Sequence, residues 1–314
     1  MNSELIDQLK DHSIEYLIEV ELKCYTHTLT GGIVPLMVYP KNEKELVFVV
    51  QIFKASGDRF EILSGMTNVA VASGQLDFFV LNMSKYEMRE PTLRGNVLDV
   101  SSSFDMKELT QWAFKHKVRG LEWMEGIPGT VGAGIYMNAG FLPQQEISNI
   151  LVAATYLDLD DFKVKRIKNH HLHFRYRYSE FQDMHVVVLS GTFLVQPVSE
   201  VGIKNHLRMM KSKKIIRTLH ERRVKNQPLD YPSAGTVFVP PIPFHVGGML
   251  REMNLTGYRI GGAEISTKSP GFIIGVDHMT GEDYKAMVEF IEKSIAEKYD
   301  LDIEPEVRLI GFDD

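Results

Sequence analysis

The chain has 314 residues, 44% of them hydrophobic and 24% charged, so it can bury a substantial core and divide into two or three domains. A net charge of -6 lacks the basic footprint of a general nucleic-acid binder. A single cysteine, Cys24, excludes an intrachain disulfide; it reads as a small buried residue in a reducing cytoplasm.

The N-terminal MNSELIDQLKDHSIEYLIEVELK is interrupted by charges throughout and holds no apolar signal core. No run is long enough to cross a bilayer, so the expectation is a cytoplasmic protein without a membrane partner. In 42–56, Leu46, Val49, Val50 and Phe53 share a helical face, with Asn42 as N-cap and Glu45 three residues on. Short apolar runs at 60–63, 78–83 and 96–100 then read as strands. Helical spacing returns over 102–117 through Leu109, Trp112 and Ala113. Residues 150–159 and 185–198 read as further strands.

Residues 199–226 are basic and free of glycine and proline after Gly202, which predicts one long helix with a positive, largely solvated face, joining two domains. A loop and a short helix follow. Residues 280–300 form an amphipathic helix in which Tyr284, Met287, Val288, Ile291 and Ile295 share a face and Thr280 caps the start. Strands and helices are segregated, which is an α+β pattern.

Four stretches could carry chemistry. GIPGTVGAGIYMNAG (126–140) is punctuated by glycines that let backbone amides approach an anion, or that merely allow a tight chain crossing. ILSGMTNVAVAS (62–73) could hold a phosphate through Gly65, Thr67 and Asn68, or be a plain turn. In HLHFRYRYSEF (171–181), an extended backbone would put Arg175 and Arg177 on one face and Tyr176 and Tyr178 on the other; an arginine in a pocket binds a carboxylate through two parallel hydrogen bonds. The adjacent His170, His171 and His173 lack a matching set of further ligands, so no metal site is expected. Finally, QPLDYPSAGTVF places the hydroxyl of Thr236 just after a turn, and EPEVRLIGF (304–312) places Glu306 in an apolar run.

Taken in order, HTLTGG…YPKNEKEL, LEWMEGIPGTVGAGIYMNAG, FRYRYSEF, QPLDYPSAGTVF, GYRIGGAEISTKSPGF and EPEVRLIG resemble the UDP-N-acetylenolpyruvoylglucosamine reductase family from about residue 25 onward. The resemblance implies an FAD-binding domain of the vanillyl-alcohol-oxidase (PCMH) type over 1–200, in two subdomains of about 1–84 and 85–200. An α/β substrate-binding domain over 201–314 follows, its strand near 304–312 reaching the active site. It implies non-covalent FAD held by Gly65, Met66, Thr67 and Asn68, by Gly126, Ile127, Pro128, Gly129, Thr130, Gly132 and Ala133, and by Asn138 and Gly140. It implies hydride transfer from NADPH through FAD to C3 of an enolpyruvyl group, in the step that completes UDP-N-acetylmuramate for peptidoglycan. Arg177 and Glu306 would stabilise the enolate and Thr236 would protonate C2. Tyr176, Arg222, Gln227, Ser233 and Gly235 would contact the UDP-sugar.

Thr236 stands where the family has serine, and SGMTN where it has GGGSN or GNGSN. Ser269 and Gly275 also depart from common family residues. These changes keep a second reading open, a redox-inactive binding or regulatory paralogue of the same fold. Oligomeric state is not legible in the sequence.

Overall fold

The computed structural model describes residues 3–142, 144–199 and 202–312. The chain divides into two compact units that interleave along the sequence. One comprises Met1–Tyr16, Met37–Gly65 and Val80–Arg223; the other comprises Leu17–Leu36, Met66–Phe79 and Val224–Asp314. A linear boundary at 200/201 falls outside the described residues.

The first unit is built on a five-stranded antiparallel sheet in the order Val164–Lys168, Leu151–Asp158, Val186–Leu194, Val97–Ser101, Thr92–Arg94. Its central strand Val186–Leu194 is buried through Phe193, because helices cover it. One of these, Val131–Tyr136, packs so close that a Cβ on Gly191 would lie 2.7 Å from Ile135 Cδ1. The helix Glu43–Ser56 forms as the spacing predicts: Asn42 Oδ1 accepts from the Glu45 amide, and Leu46, Val49, Val50 and Phe53 are buried.

Helix Met106–Lys115 is shorter than the predicted 102–117. Asp105 Oδ1 accepts from the amides of Lys107 and Glu108 and starts it late, while the Ser102 amide donates to Leu189 O. The long basic helix is present as Ile203–Asn226.

The second unit has a core running from Ala70 through Phe238, Leu250 and Ile273 to Val307. Around it lie the antiparallel strands Arg259–Ile260, Ala263–Ile265 and Ile273–Gly275 and the helices Val246–Glu252 and Gly281–Tyr299. In the last helix Tyr284, Met287, Val288, Ile291 and Ile295 are buried, and Thr280 and Asp283 form a reciprocal cap. Strand Val69–Val71 pairs in parallel with Arg308–Ile310. Cys24 is exposed, not buried as its type suggested; it closes a short turn after Leu22, which takes the buried place.

Candidate functional site

In the first unit, residues 126–142 run as a turn (Glu122–Gly126), a short helix (Val131–Tyr136) and a strand (Gly140–Leu142). The stretch is tied down by backbone bonds. The Met106 amide donates to Gly129 O (3.0 Å), Val131 to Phe104 O (2.8 Å) and Gly132 to Ser102 O (2.9 Å). A Cβ on Gly132 would sit 2.7 Å from Ser102 Cβ, so glycine is required there for chain-to-chain contact and its amide serves the protein. Gly129 adopts φ 111° and carries the chain into the helix.

Three hydroxyls beside the glycine stretches are buried and have no hydrogen-bond partner among the described residues: Ser64 Oγ, Ser102 Oγ and Thr130 Oγ1. A native interior rarely leaves such donors unmet. Donors lying beside glycine turns match the demand of a pyrophosphate, so the residues present fit an FAD. Ser64 and Ser102 were not picked out from the sequence, where nothing distinguishes them from ordinary loop serines.

The FRYRYSEF segment is not extended. Residues 175–178 make a tight turn in which Arg175 and Tyr178 exchange both backbone bonds (3.1 and 3.2 Å), and Arg177 takes a left-handed φ of 52°. The two arginines therefore do not form a stripe. Each guanidinium instead lies over a tyrosine, Arg175 over Tyr178 at 4.0 Å and Arg177 over Tyr176 at 4.7 Å. Arg177 Nη2 donates to Gly140 O (2.9 Å), which fixes the guanidinium beside the glycine stretch. Asn138 locks the same corner. It is buried at φ 44°, its Nδ2 donates to Arg175 O (2.8 Å), and its Oδ1 accepts from the Ser148 amide (3.0 Å). Its carboxamide thus positions the Arg177 turn.

A further group escaped the sequence reading. Glu125, buried immediately before Gly126, accepts from Gln111 Nε2 (2.8 Å) and lies 3.4 Å from His220 Nδ1 on the long helix. Burial depresses the half-buried Arg223 guanidinium, and the Glu125 charge opposes that. The neighbouring Arg222 lies 6.0 Å from the Phe141 ring.

In the second unit, three threonines of THTLT (26–30) make a ladder. Thr26 Oγ1 donates to Thr30 O (2.7 Å), Thr28 Oγ1 to Val69 O (3.1 Å), and Thr30 Oγ1 accepts from the Val71 amide (3.1 Å). This holds the segment after SGMTN. Met66 is left-handed at φ 46°, which costs roughly 1–2 kcal/mol. Its side chain is only 5% exposed, and that burial offsets the strain, being worth about 1.5–3 kcal/mol. Asn68 Nδ2 donates to Glu306 O (2.8 Å), and the Arg308 amide donates to Asn68 O (3.1 Å).

The segments that carry Thr236 and Glu306 are paired through their backbones. The Glu306 amide donates to Val237 O (2.7 Å), Phe238 bridges Pro305, and Thr236 bridges Phe272 on its other side. Gly235 at φ 88° makes the turn and has open space where a Cβ would stand, so the Thr236 side chain is exposed after a glycine-only corner. The Ser233 amide donates to His27 O (3.0 Å) and ties this turn to the threonine ladder. Glu306 is half-buried. Beneath it, Tyr284 is wholly buried; burial first, and the Glu306 charge second, push its hydroxyl well above the usual phenol range. Arg177, Tyr176, Arg222 and the glycine stretch belong to the first unit, and Thr236, Glu306, Ser233, Gly235 and Gln227 to the second.

These features define an FAD-dependent oxidoreductase. The FAD binding domain family matches residues 34–163, and the family "UDP-N-acetylenolpyruvoylglucosamine reductase, C-terminal domain" matches 227–310. A UDP-N-acetylenolpyruvoylglucosamine reductase from Streptococcus suis is 33% identical over 97% of this chain and 96% of its own length; one from Enterococcus faecalis is 34% identical over 96% of each. The crystal structure of the Thermus caldophilus reductase aligns with a TM-score of 0.75 at 22% identity, covering 95% of this chain and 98% of that one. The chain belongs to the UDP-N-acetylenolpyruvoylglucosamine reductase family. Its fold is the α+β arrangement of that family, with an FAD-binding domain of the vanillyl-alcohol-oxidase type.

Proposed function

We propose that the protein reduces the enolpyruvyl ether of UDP-N-acetylglucosamine-enolpyruvate to UDP-N-acetylmuramate at the expense of NADPH, with Thr236 as the proton donor. FAD, when bound, supplies the hydride that NADPH provides. The chain's own residues do the rest. Gly65, Thr67, Thr130 and the backbone around Gly129 hold the cofactor, joined by the partnerless hydroxyls of Ser64 and Ser102. Arg177, fixed by Gly140 O and stacked on Tyr176, binds the substrate carboxylate. Glu306, acting as the neutral carboxylic acid, donates with it to the enolate that develops when hydride reaches C3. Thr236 Oγ1 then gives C2 its proton, and solvent restores the hydroxyl. Hydride and proton together add across one C=C bond as NADPH becomes NADP⁺. Arg222, Gln227 and Ser233 contact the UDP-sugar. The reaction belongs to the cytoplasm.

The observation that supports this reading is the Glu306–Val237 backbone bond (2.7 Å), which pairs the segment carrying Glu306 with the segment carrying Thr236. The test is NADPH oxidation by flavin-loaded protein with and without UDP-N-acetylglucosamine-enolpyruvate. Turnover that requires the sugar nucleotide is expected; yellow protein with no such turnover overturns the proposal. The second reading, a redox-inactive paralogue, rests on Met66 standing in the flavin loop where the family resemblance implies glycine. A visible spectrum without a flavin band after added FAD supports that one.

A further inference from the structure

The helix Ile203–Asn226 carries nine lysines and arginines against one glutamate, in a chain whose net charge is -6. Its inner face is fixed to the first unit: Ser212 Oγ donates to Glu122 Oε1 (2.6 Å) and accepts from Arg119 Nε (3.0 Å), and Leu219 is buried. The opposite face is unusual for a solvated helix. Ile203, Leu207 and Met210 follow one another at i, i+4 and i+7 and are 77%, 58% and 57% exposed. They form an apolar ridge pointing away from the unit. Lys204 and Lys211 flank it on one side and Lys213 on the other, and Lys214 continues it. None of these four lysines has a carboxylate partner among the described residues.

We propose that this outward face of 203–214 docks on an anionic phospholipid surface. The charge pattern selects the occupant. Unpaired cations on both sides of the ridge call for negative charge extending on both sides of it, which a headgroup plane provides. Three side chains in a single row are too narrow for a protein interface, which ordinarily buries about 1,200–2,000 Å². A row of that shape suits shallow insertion, with lysine stems lying along the apolar surface and ammonium groups at the headgroups. No helix among the described residues is long and apolar enough to cross a membrane, so the attachment is peripheral. The arginines proposed for the sugar nucleotide lie at the other end of the helix. Docking through 203–214 therefore leaves the catalytic residues untouched and holds the enzyme at a membrane face.

The test is co-sedimentation of the flavin-loaded protein with vesicles of phosphatidylcholine alone and of phosphatidylcholine containing phosphatidylglycerol. Binding to the anionic vesicles only, weakened by added salt, is expected. Lys211→Gln/Lys214→Gln lowers the partition coefficient about 25-fold, since each juxtamembrane lysine is worth about fivefold. Leu207→Gln/Met210→Gln lowers it at unchanged charge. Both variants keep wild-type reductase activity and thermal midpoint, which shows that they fold. Equal binding to both vesicle types, binding indifferent to both variants, or no binding at low salt overturns the proposal. Binding of single-stranded RNA without vesicle binding also overturns it, in favour of a polyanion site. So does a self-association that the same variants abolish.

Discussion

The two units hold their candidate residues by different means. In the first unit the stretch 126–140 is positioned by packing and hydrogen bonds to several other segments: Gly132 meets Ser102, Gly129 bonds Met106, and Asn138 holds the 175–178 turn. In the second, Thr236 and Glu306 come from distant segments joined by a few non-local bonds, and Asn68 links to Glu306 across 238 positions. The first stretch leaves no room for a Cβ at Gly132, Gly134 or Gly140. The second rests on a few backbone bonds, and under the proposed mechanism small shifts there act on rate before they act on stability.

That contrast can be broken or sharpened. Glu306→Gln keeps the backbone bond to Val237 and removes the carboxyl group; enolpyruvyl reduction falls about 10²–10³-fold in single turnover while NADPH still bleaches the flavin, on the scale of losing one transition-state contact. Gly132→Val forces a side chain into Ser102; the purified protein loses its flavin absorbance together with both half-reactions, and its stability drops by about 1–3 kcal/mol. Asn68→Ala strips the donor from Glu306 O, and substrate reduction slows about tenfold, the equivalent of one hydrogen bond. Met66→Gly relieves the left-handed strain but empties a buried position, so the thermal midpoint falls by a few degrees, about 2–4 °C per kcal/mol for a domain of this size.

The smallest effect concerns acid. Burial opposes ionisation of Asp283, yet the amides of Thr280 and Gly262 outweigh it and hold the carboxyl below the usual aspartate range. A folded pKa below the unfolded one gives stability that is present above the unfolded value and lost as pH falls through the folded one. Asp283→Asn therefore flattens the decline in stability below about pH 4, measured by denaturant titration across pH.

Much of this architecture was legible in the residues. Helices Glu43–Ser56 and Gly281–Tyr299 follow from their apolar spacing and caps, because those signals are local. The order of the motifs pointed to the family and to its FAD. What escaped was set by partners far along the chain. Alternation in FRYRYSEF looked extended, but Asn138 and Gln182 hold its carbonyls in a turn. Glu125 was not singled out, because its partners Gln111 and His220 lie elsewhere in the chain. The conformation of Met66 shows only in its φ, and Cys24 is exposed because Leu22 fills the core place.

The measurement that bears most directly on Thr236 as proton donor is stopped-flow kinetics of both half-reactions in Thr236→Ala and Thr236→Ser. The account predicts flavin bleaching by NADPH at the wild-type rate in both variants, with substrate reduction slowed about 10²–10⁴-fold in the alanine variant and retained in the serine variant. Equal slowing of the two half-reactions, or an alanine variant that still reduces the sugar nucleotide at the wild-type rate, contradicts it.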